Sequence, residues 1–164
     1  DFVVLGTIIR ETIGTIGESR KTAFNPTFLG SSAAYTDLIH KLGGPAMNGL
    51  YASMAAQHPY LDEASQPLRF WANKYKTKFN EDPTVFSAYG YQIIDMFAQA
   101  ATKAGANLTT DSFIKAMDTM TVPPDMFGSA QATYTATKRL GSNASRLSQI
   151  TDGRWKVISE YVTP

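Results

Sequence analysis

Two stretches of the sequence gather groups that could hold a ligand: "LGTIIRE" (Leu5 to Glu11) and "LGSSAAYT" (Leu29 to Thr36). Each leaves an apolar run through a glycine, as a strand does when it runs out into a loop. Between them they offer hydroxyls on Thr7, Ser31, Ser32 and Tyr35, an aliphatic wall of Ile8 and Ile9, and one cation, Arg10. In open α/β sheets, ligands bind beyond the carboxyl ends of the strands. Hydroxyls and a guanidinium beside aliphatic side chains suit a small organic ligand, anions included, better than they suit catalysis. The same residues read equally well as ordinary turns whose Ser and Thr cap the next helix.

Other chemistry is poorly provided for. The sequence has no cysteine, which excludes disulfides, thiolate metal sites and cysteine nucleophiles and is compatible with an oxidising compartment. His40 and His58 lack metal-ligand spacing and an accompanying carboxylate cluster, and read as surface or loop residues. The pairs Asp62/Glu63 and Glu81/Asp82 stand at helix entries, where the helix dipole favours negative charge. Trp71, Tyr75, Phe79, Tyr89 and Phe97 recur at helical spacing and read as core packing rather than a cofactor box. There is no nucleophile elbow, no HExxH, no P-loop and no GxGxxG, and Gly6 alone is too little for a nucleotide fingerprint. No enzymatic activity, cofactor or metal is therefore expected.

Lys plus Arg number 15 against 14 Asp plus Glu, a balance that leaves no electrostatic footprint for nucleic acid. The small basic groups Lys74, Lys76, Lys78 and Lys138, Arg139 read as a solvated helix face and a loop. With 43% hydrophobic and 18% charged residues over 164 positions, the chain is globular and of single-domain length. No apolar run approaches the ~20 residues of a membrane span.

The elements that must position the candidate groups begin at once. Phe2 to Leu5 reads as a buried strand, Glu11 to Phe24 as a helix, and Thr27 to Gly30 as a strand. A short helix through Leu38, Ile39 and Leu42 follows, stopped at Gly43, and Gly49 to Met54 is a third apolar run. This β-α-β-α-β rhythm predicts a parallel sheet with helices on its faces. A buried strand needs cover on both faces, so either later residues cover the first strand or the chain is a piece of something longer.

The rhythm then changes. Pro59 to Gln66 reads as a linker, and helices are expected over Pro67 to Phe79 (N-cap Ser65), Thr84 to Ala104, and from an N-cap at Thr110. Ala132 to Thr137 alternates like a strand. "LSQITDGRWKVISEYV" reads as two strands joined at Asp152-Gly153, a strong hairpin signal. The order suggests parts of two lobes rather than one complete domain.

Taken together, "DFVVLGTIIRETIGTIGESRKTAFNPTFLGSSA", "GGPAMNGLYAS", "FWANKYKTKFNEDPTVFSAYGYQIIDMFAQAATKAG" and "LSQITDGRWKVI" resemble the periplasmic solute-binding proteins of branched-chain amino acid ABC transporters. These are type I periplasmic binding proteins of the Leu/Ile/Val-binding sort. The resemblance covers essentially the whole chain, and it rests on the order and spacing of motifs that are individually soft. It implies an α/β, parallel-sheet fold of two lobes, of which this chain carries only the C-terminal part. Residues 1–54 would belong to the second lobe, 55–135 to the first, and 136–164 would return to the second with the closing hairpin. The first strand would be central, covered by an N-terminal half that a truncated or proteolysed product would lack.

The implied function is capture of a small-molecule solute between closing lobes and its delivery to the membrane permease of an ABC transporter. The implied location is periplasmic or extracellular, the signal peptide being lost with the N-terminal half. Family members that bind amino acids hold the ammonium with an aromatic residue after the first of these strands and a Glu after the second. Here those positions carry Ile8 or Ile9 and Ser32, and an ammonium without a carboxylate partner is costly to bury. A carboxylate with an apolar or aromatic body is expected instead, anchored at Arg10 or near Ser31 and Ser32. Phe86 matches a family position that touches the ligand from the first lobe. Branched-chain amino acid binding, a ligand-sensing receptor or regulator on the same fold, and an enzyme on a doubly wound fold stand as alternatives.

Overall fold

The computed structural model describes residues 1–164 and divides into two compact units. The first takes Asp1–His58 and Ser145–Thr163, and the second Pro59–Ala144 with Pro164.

The first unit is a five-stranded sheet in the order β1 (Phe2–Leu5), β2 (Thr27–Gly30), β3 (Tyr51–Met54), β6 (Arg146–Thr151), β7 (Arg154–Val157). The first three strands are parallel, joined through α1 (Ile9–Lys21) and α2 (Asp37–Gly43), as the β-α-β-α-β rhythm predicts. The last two run antiparallel as a hairpin. Its turn needs left-handed backbone at both central residues, and Asp152 (φ 53°) and Gly153 (φ 71°) supply it. The Gly153 amide also donates to Asn48 Oδ1 at 3.1 Å, which ties the turn to the entry of β3.

Register decides what each face of this sheet meets. Leu5, Phe28, Ala52, Ile150 and Trp155 point to one face and are buried with Ile16 of α1 and Ile39 of α2. Leu5, Phe28, Ile150, Ile16 and Ile39 each contribute about 1.5–3 kcal/mol by leaving water. Phe2 and Val4 point to the opposite face. Val4 is 68% exposed while its neighbour Leu5 is 5% exposed. The first strand is thus covered on one face only, not buried on both, and it forms the edge of this sheet. The apolar run Phe2-Val3-Val4-Leu5 has no polar alternation from which this could be read.

Helix α1 starts two residues earlier than expected and ends at Lys21. The chain leaves it through Ala23, whose φ of 58° is incompatible with further helix.

The second unit holds α3 (Gln66–Phe79), α4 (Val85–Ala104) and α5 (Thr110–Met117), with β4 (Thr121–Val122) paired antiparallel to β5 (Ala132–Thr133). Helix α4 begins in a capping box in which the Ser87 amide donates to Thr84 Oγ1 (3.4 Å) and the Thr84 amide to Ser87 Oγ (3.1 Å). Helix α5 repeats the device one residue before the expected cap, with Thr109 and Ser112. Ser65 holds the N-cap position of α3 but accepts no bond there. The expected strand over 132–137 stops at Thr133, because Thr135 Oγ1 accepts from the Lys138 amide (3.0 Å) and turns the chain back. Glu81 and Asp82 are held by the preceding helix rather than serving α4: Tyr75 donates to Glu81 (2.8 Å), and Lys76 pairs with Asp82 (2.8 Å). No helix is long and apolar enough to cross a membrane.

Candidate functional site

The carboxyl ends of β1 and β2 lie side by side. Leu5 is in register with Gly30, and the Ser31 amide donates to the Leu5 carbonyl at 3.2 Å, so the ladder runs one residue past the strands. Glycine is required at position 30, since a Cβ there would stand 2.8 Å from the Ala34 Cβ. The turn of Ser32 to Ala34 can therefore fold directly onto the end of β2.

From β1 the chain passes Thr7 and enters α1 with Ile8 as N-cap. Isoleucine has no acceptor, so the first amides of α1 receive no side-chain cap, and they carry the positive end of the helix dipole. Thr7 and Thr12 share a hydrogen bond between their hydroxyls (2.7 Å), which holds the Thr7 side chain against the first turn. Arg10 follows one residue into the helix, exposed and engaging no carboxylate. Ile8, Ile9 and Arg10 line an open groove of about 640 Å³ with Glu11, Ile13 and Leu42 of α2. On the neighbouring strand end, Ser31 and Ser32 are exposed, Ser31 Oγ accepting from the Ala33 amide (3.3 Å).

Three of the eight expected residues, Ile8, Ile9 and Arg10, thus share one groove, and Thr7, Ser31 and Ser32 stand at the same pair of strand ends. Tyr35 does not join this exposed group. It is 1% exposed, its ring centroid is 5.0 Å from that of Trp155, and its hydroxyl accepts from the His58 amide at 2.9 Å. Phe86 is exposed at the start of α4 in the second unit, edge-on to Tyr89. Leu42, Ile13 and Glu11 were not expected in the groove. Their only signal is helical phase, which places Leu42 on the inward side of its helix, whereas it is 70% exposed.

Beneath the strand ends lies a buried polar cluster. His58, expected at the surface, is 4% exposed. Burial pushes its imidazole down from 6.5 to about 4, against the opposing pull of Asp37. Burial works to raise the Asp37 carboxyl, but the Lys41 ammonium at 2.5 Å, with help from His58 and Thr36, outweighs it and holds Asp37 below its ordinary value. His40, half-buried nearby, is also lowered, chiefly by burial. No three His, Cys, Asp or Glu side chains come together to hold a metal.

This arrangement can hold a small anion at the positive end of a helix beside aliphatic side chains, and it presents no nucleophile with an adjacent base. The sequence profile of the periplasmic binding protein family matches residues 1–154. No curated protein sequence matches the chain. Among solved structures, the chain is similar to a valine-bound branched-chain amino acid ABC transporter protein from Thermus thermophilus, with a TM-score of 0.82 at 14% identity, over 100% of this chain and 46% of that one. A leucine-binding protein from Thermotoga maritima aligns with a TM-score of 0.77 at 14% identity, over 99% and 45%. A fatty acid ABC transporter substrate-binding protein from Thermomonospora curvata aligns with a TM-score of 0.80 at 18% identity, over 98% and 43%. The chain spans under half the length of each, and its fold is that of a part of a type I periplasmic binding protein. By the profile match over nearly all its residues, the chain belongs to the periplasmic binding protein family.

Proposed function

We propose that the chain is part of the solute-binding component of an ABC uptake transporter, working in the periplasm or outside the cell and handing its solute to a membrane permease. The family match carries this reading. The chain would act with an N-terminal half that completes the fold. Two features support that partner: the uncovered apolar face at Phe2 and Val4, where parallel strands ordinarily have cover, and the exposed stripe Ile93, Ile94 and Phe97 on α4.

The solute we propose is a carboxylate with an apolar or aromatic body. Its carboxylate would meet Arg10 and the uncapped amides of α1, and its body Ile8, Ile9 and Leu42, with Ser31 and Ser32 beside them. One observation favours a second solute. Glu11 lines the same groove and offers an ammonium the carboxylate that Ser32 does not, which suits a branched-chain amino acid.

The deciding experiment is thermal melting of the full-length protein against aromatic carboxylates, aliphatic carboxylates, and Leu, Ile and Val. A ligand present at a hundredfold its Kd adds about 2.7 kcal/mol of stability. Stabilisation by acids that lack an ammonium supports the first solute. Stabilisation by Leu, Ile or Val alone, abolished in Glu11→Gln, supports the second. No stabilisation by any of them overturns the solute-binding reading.

A further inference from the structure

A second ligand-sized groove lies in the second unit, between α3 and α4, with a volume of about 570 Å³. Its walls include Phe70, Trp71, Tyr75 and Tyr91, with Lys74 and Lys78 on the α3 side. Helical spacing alone assigns Trp71 and Tyr75 to a core. The structure puts only part of them there. Trp71 packs edge-on to Phe127 (4.9 Å between centroids) and to Tyr91 (5.7 Å), which fixes its orientation, whereas Phe70 is 70% exposed. The result is a rigid aromatic floor with an open side, of the size that encloses small organic ligands.

Charge narrows the choice of occupant. Lys74 and Lys78 are one helical turn apart on the same face, and no carboxylate engages either ammonium. Of the acids that follow α3, Asp82 pairs with Lys76, and Glu81 accepts from the hydroxyl of Tyr75, a groove wall, without itself lining the groove. No carboxylate lines the groove, and the Tyr91 hydroxyl makes no hydrogen bond. Two ammonium groups without a carboxylate partner, Lys78 resting over the Phe79 ring at 5.4 Å, and a free phenol above an aromatic floor are complementary to one anionic head on an apolar body.

We propose that this groove is a binding site for an amphipathic monocarboxylate, separate from the strand-end site. The apolar body lies on Phe70 and Trp71, and the carboxylate is held by Lys74 and Lys78. The proposal does not rest on the solute assigned to the strand ends.

The test is titration of the protein with 2-naphthoate and with decanoate, followed by calorimetry and by Trp71 fluorescence. The uncharged 2-naphthalenemethanol and decanol serve as controls, and Trp155, buried in the other unit, as the silent fluorophore. Binding of either acid should weaken by roughly tenfold or more in Lys74→Gln/Lys78→Gln. It should also weaken with added salt. Naphthoate alone binding identifies a flat aromatic body, and decanoate alone an extended aliphatic one; both support the proposal. Equal affinity for the alcohols overturns it, because the lysines then contribute nothing. Loss of binding in Arg10→Gln with the lysine variant unaffected also overturns it, by placing the probe at the strand ends. So does absence of binding, or self-association that shields Trp71 without probe. Phe70→Ser, at an exposed position, gives a second variant that removes floor without disturbing the fold, and it should weaken both acids.

Discussion

The strand ends of the first unit have an upper rim and a lower layer, built from neighbouring residues of the same loops. Ser31 and Ser32 stand exposed on the rim, while Tyr35 of the same loop is sunk beneath it against Trp155 and His58. Arg10 on the rim engages no carboxylate, whereas Asp37 below is clasped by Lys41. Arg10 and Ser32 on the rim keep polar capacity open to a ligand, whereas Tyr35, Trp155 and Asp37 below spend theirs within the fold. Substitutions should therefore separate cleanly: those below change stability with little effect on ligand choice, and those on the rim do the reverse.

The largest effect is expected from Trp155→Ala. It removes a ring packed on Tyr35 and an indole N–H that donates to the Thr36 carbonyl at 2.9 Å, and should cost about 3–5 kcal/mol in denaturant melts. A small loss would mean the lower layer is not the packed floor described here.

Next comes pH. The His58 imidazole sits near 4 in the folded chain and near 6.5 when unfolded, so the unfolded state binds the proton first as pH falls. The stability tied to neutral His58 is complete above 6.5 and is lost between 6.5 and about 4, an amount of about 3 kcal/mol by the linkage relation. Melting midpoints across that window should decline in the wild type and flatten in His58→Gln. An equal slope in both would locate the acid sensitivity elsewhere.

Tyr35→Phe keeps the ring but strips the acceptor from the His58 amide, and should cost about 1–3 kcal/mol while leaving ligand affinity unchanged. A change in affinity with intact stability would return Tyr35 to the rim. The smallest stability effect belongs to Arg10→Gln, within about 0.5 kcal/mol in melts, as befits an exposed, unpaired side chain. The same variant should weaken a carboxylate solute roughly tenfold, because a charge-assisted hydrogen bond is lost.

What could be read from residues alone follows the range of the interactions that decide it. The β-α-β-α-β order and the hairpin at Asp152-Gly153 are local, set by apolar spacing and turn chemistry, and both appear in the fold. The adjacency of the two strand ends follows from that topology. The split between rim and lower layer is not local. Ser32 and Tyr35 belong to one short loop, and Tyr35 packs on Trp155, which arrives with the hairpin far along the chain. His58 reads as a loop residue because it is one, and the hydroxyl that meets its backbone amide is 23 residues away. The aromatics of α3 show the converse: their period is that of a core stripe, yet Lys74 and Lys78 interleave with them and leave one side open.

The discontinuity of the first unit also has a consequence in time. Trp155 and Thr36, joined by a hydrogen bond, are 119 residues apart in the chain. At the roughly 5–20 residues per second of protein synthesis, the residue that roofs the Tyr35 layer leaves the ribosome about ten seconds after the layer itself. During that interval β1, β2 and β3 have no antiparallel neighbour, and the whole second unit is free to fold first. Folding of the first unit is thus gated by the arrival of its last segment, Ser145–Thr163, and a chain halted just short of the hairpin would be held in an open, protease-sensitive state.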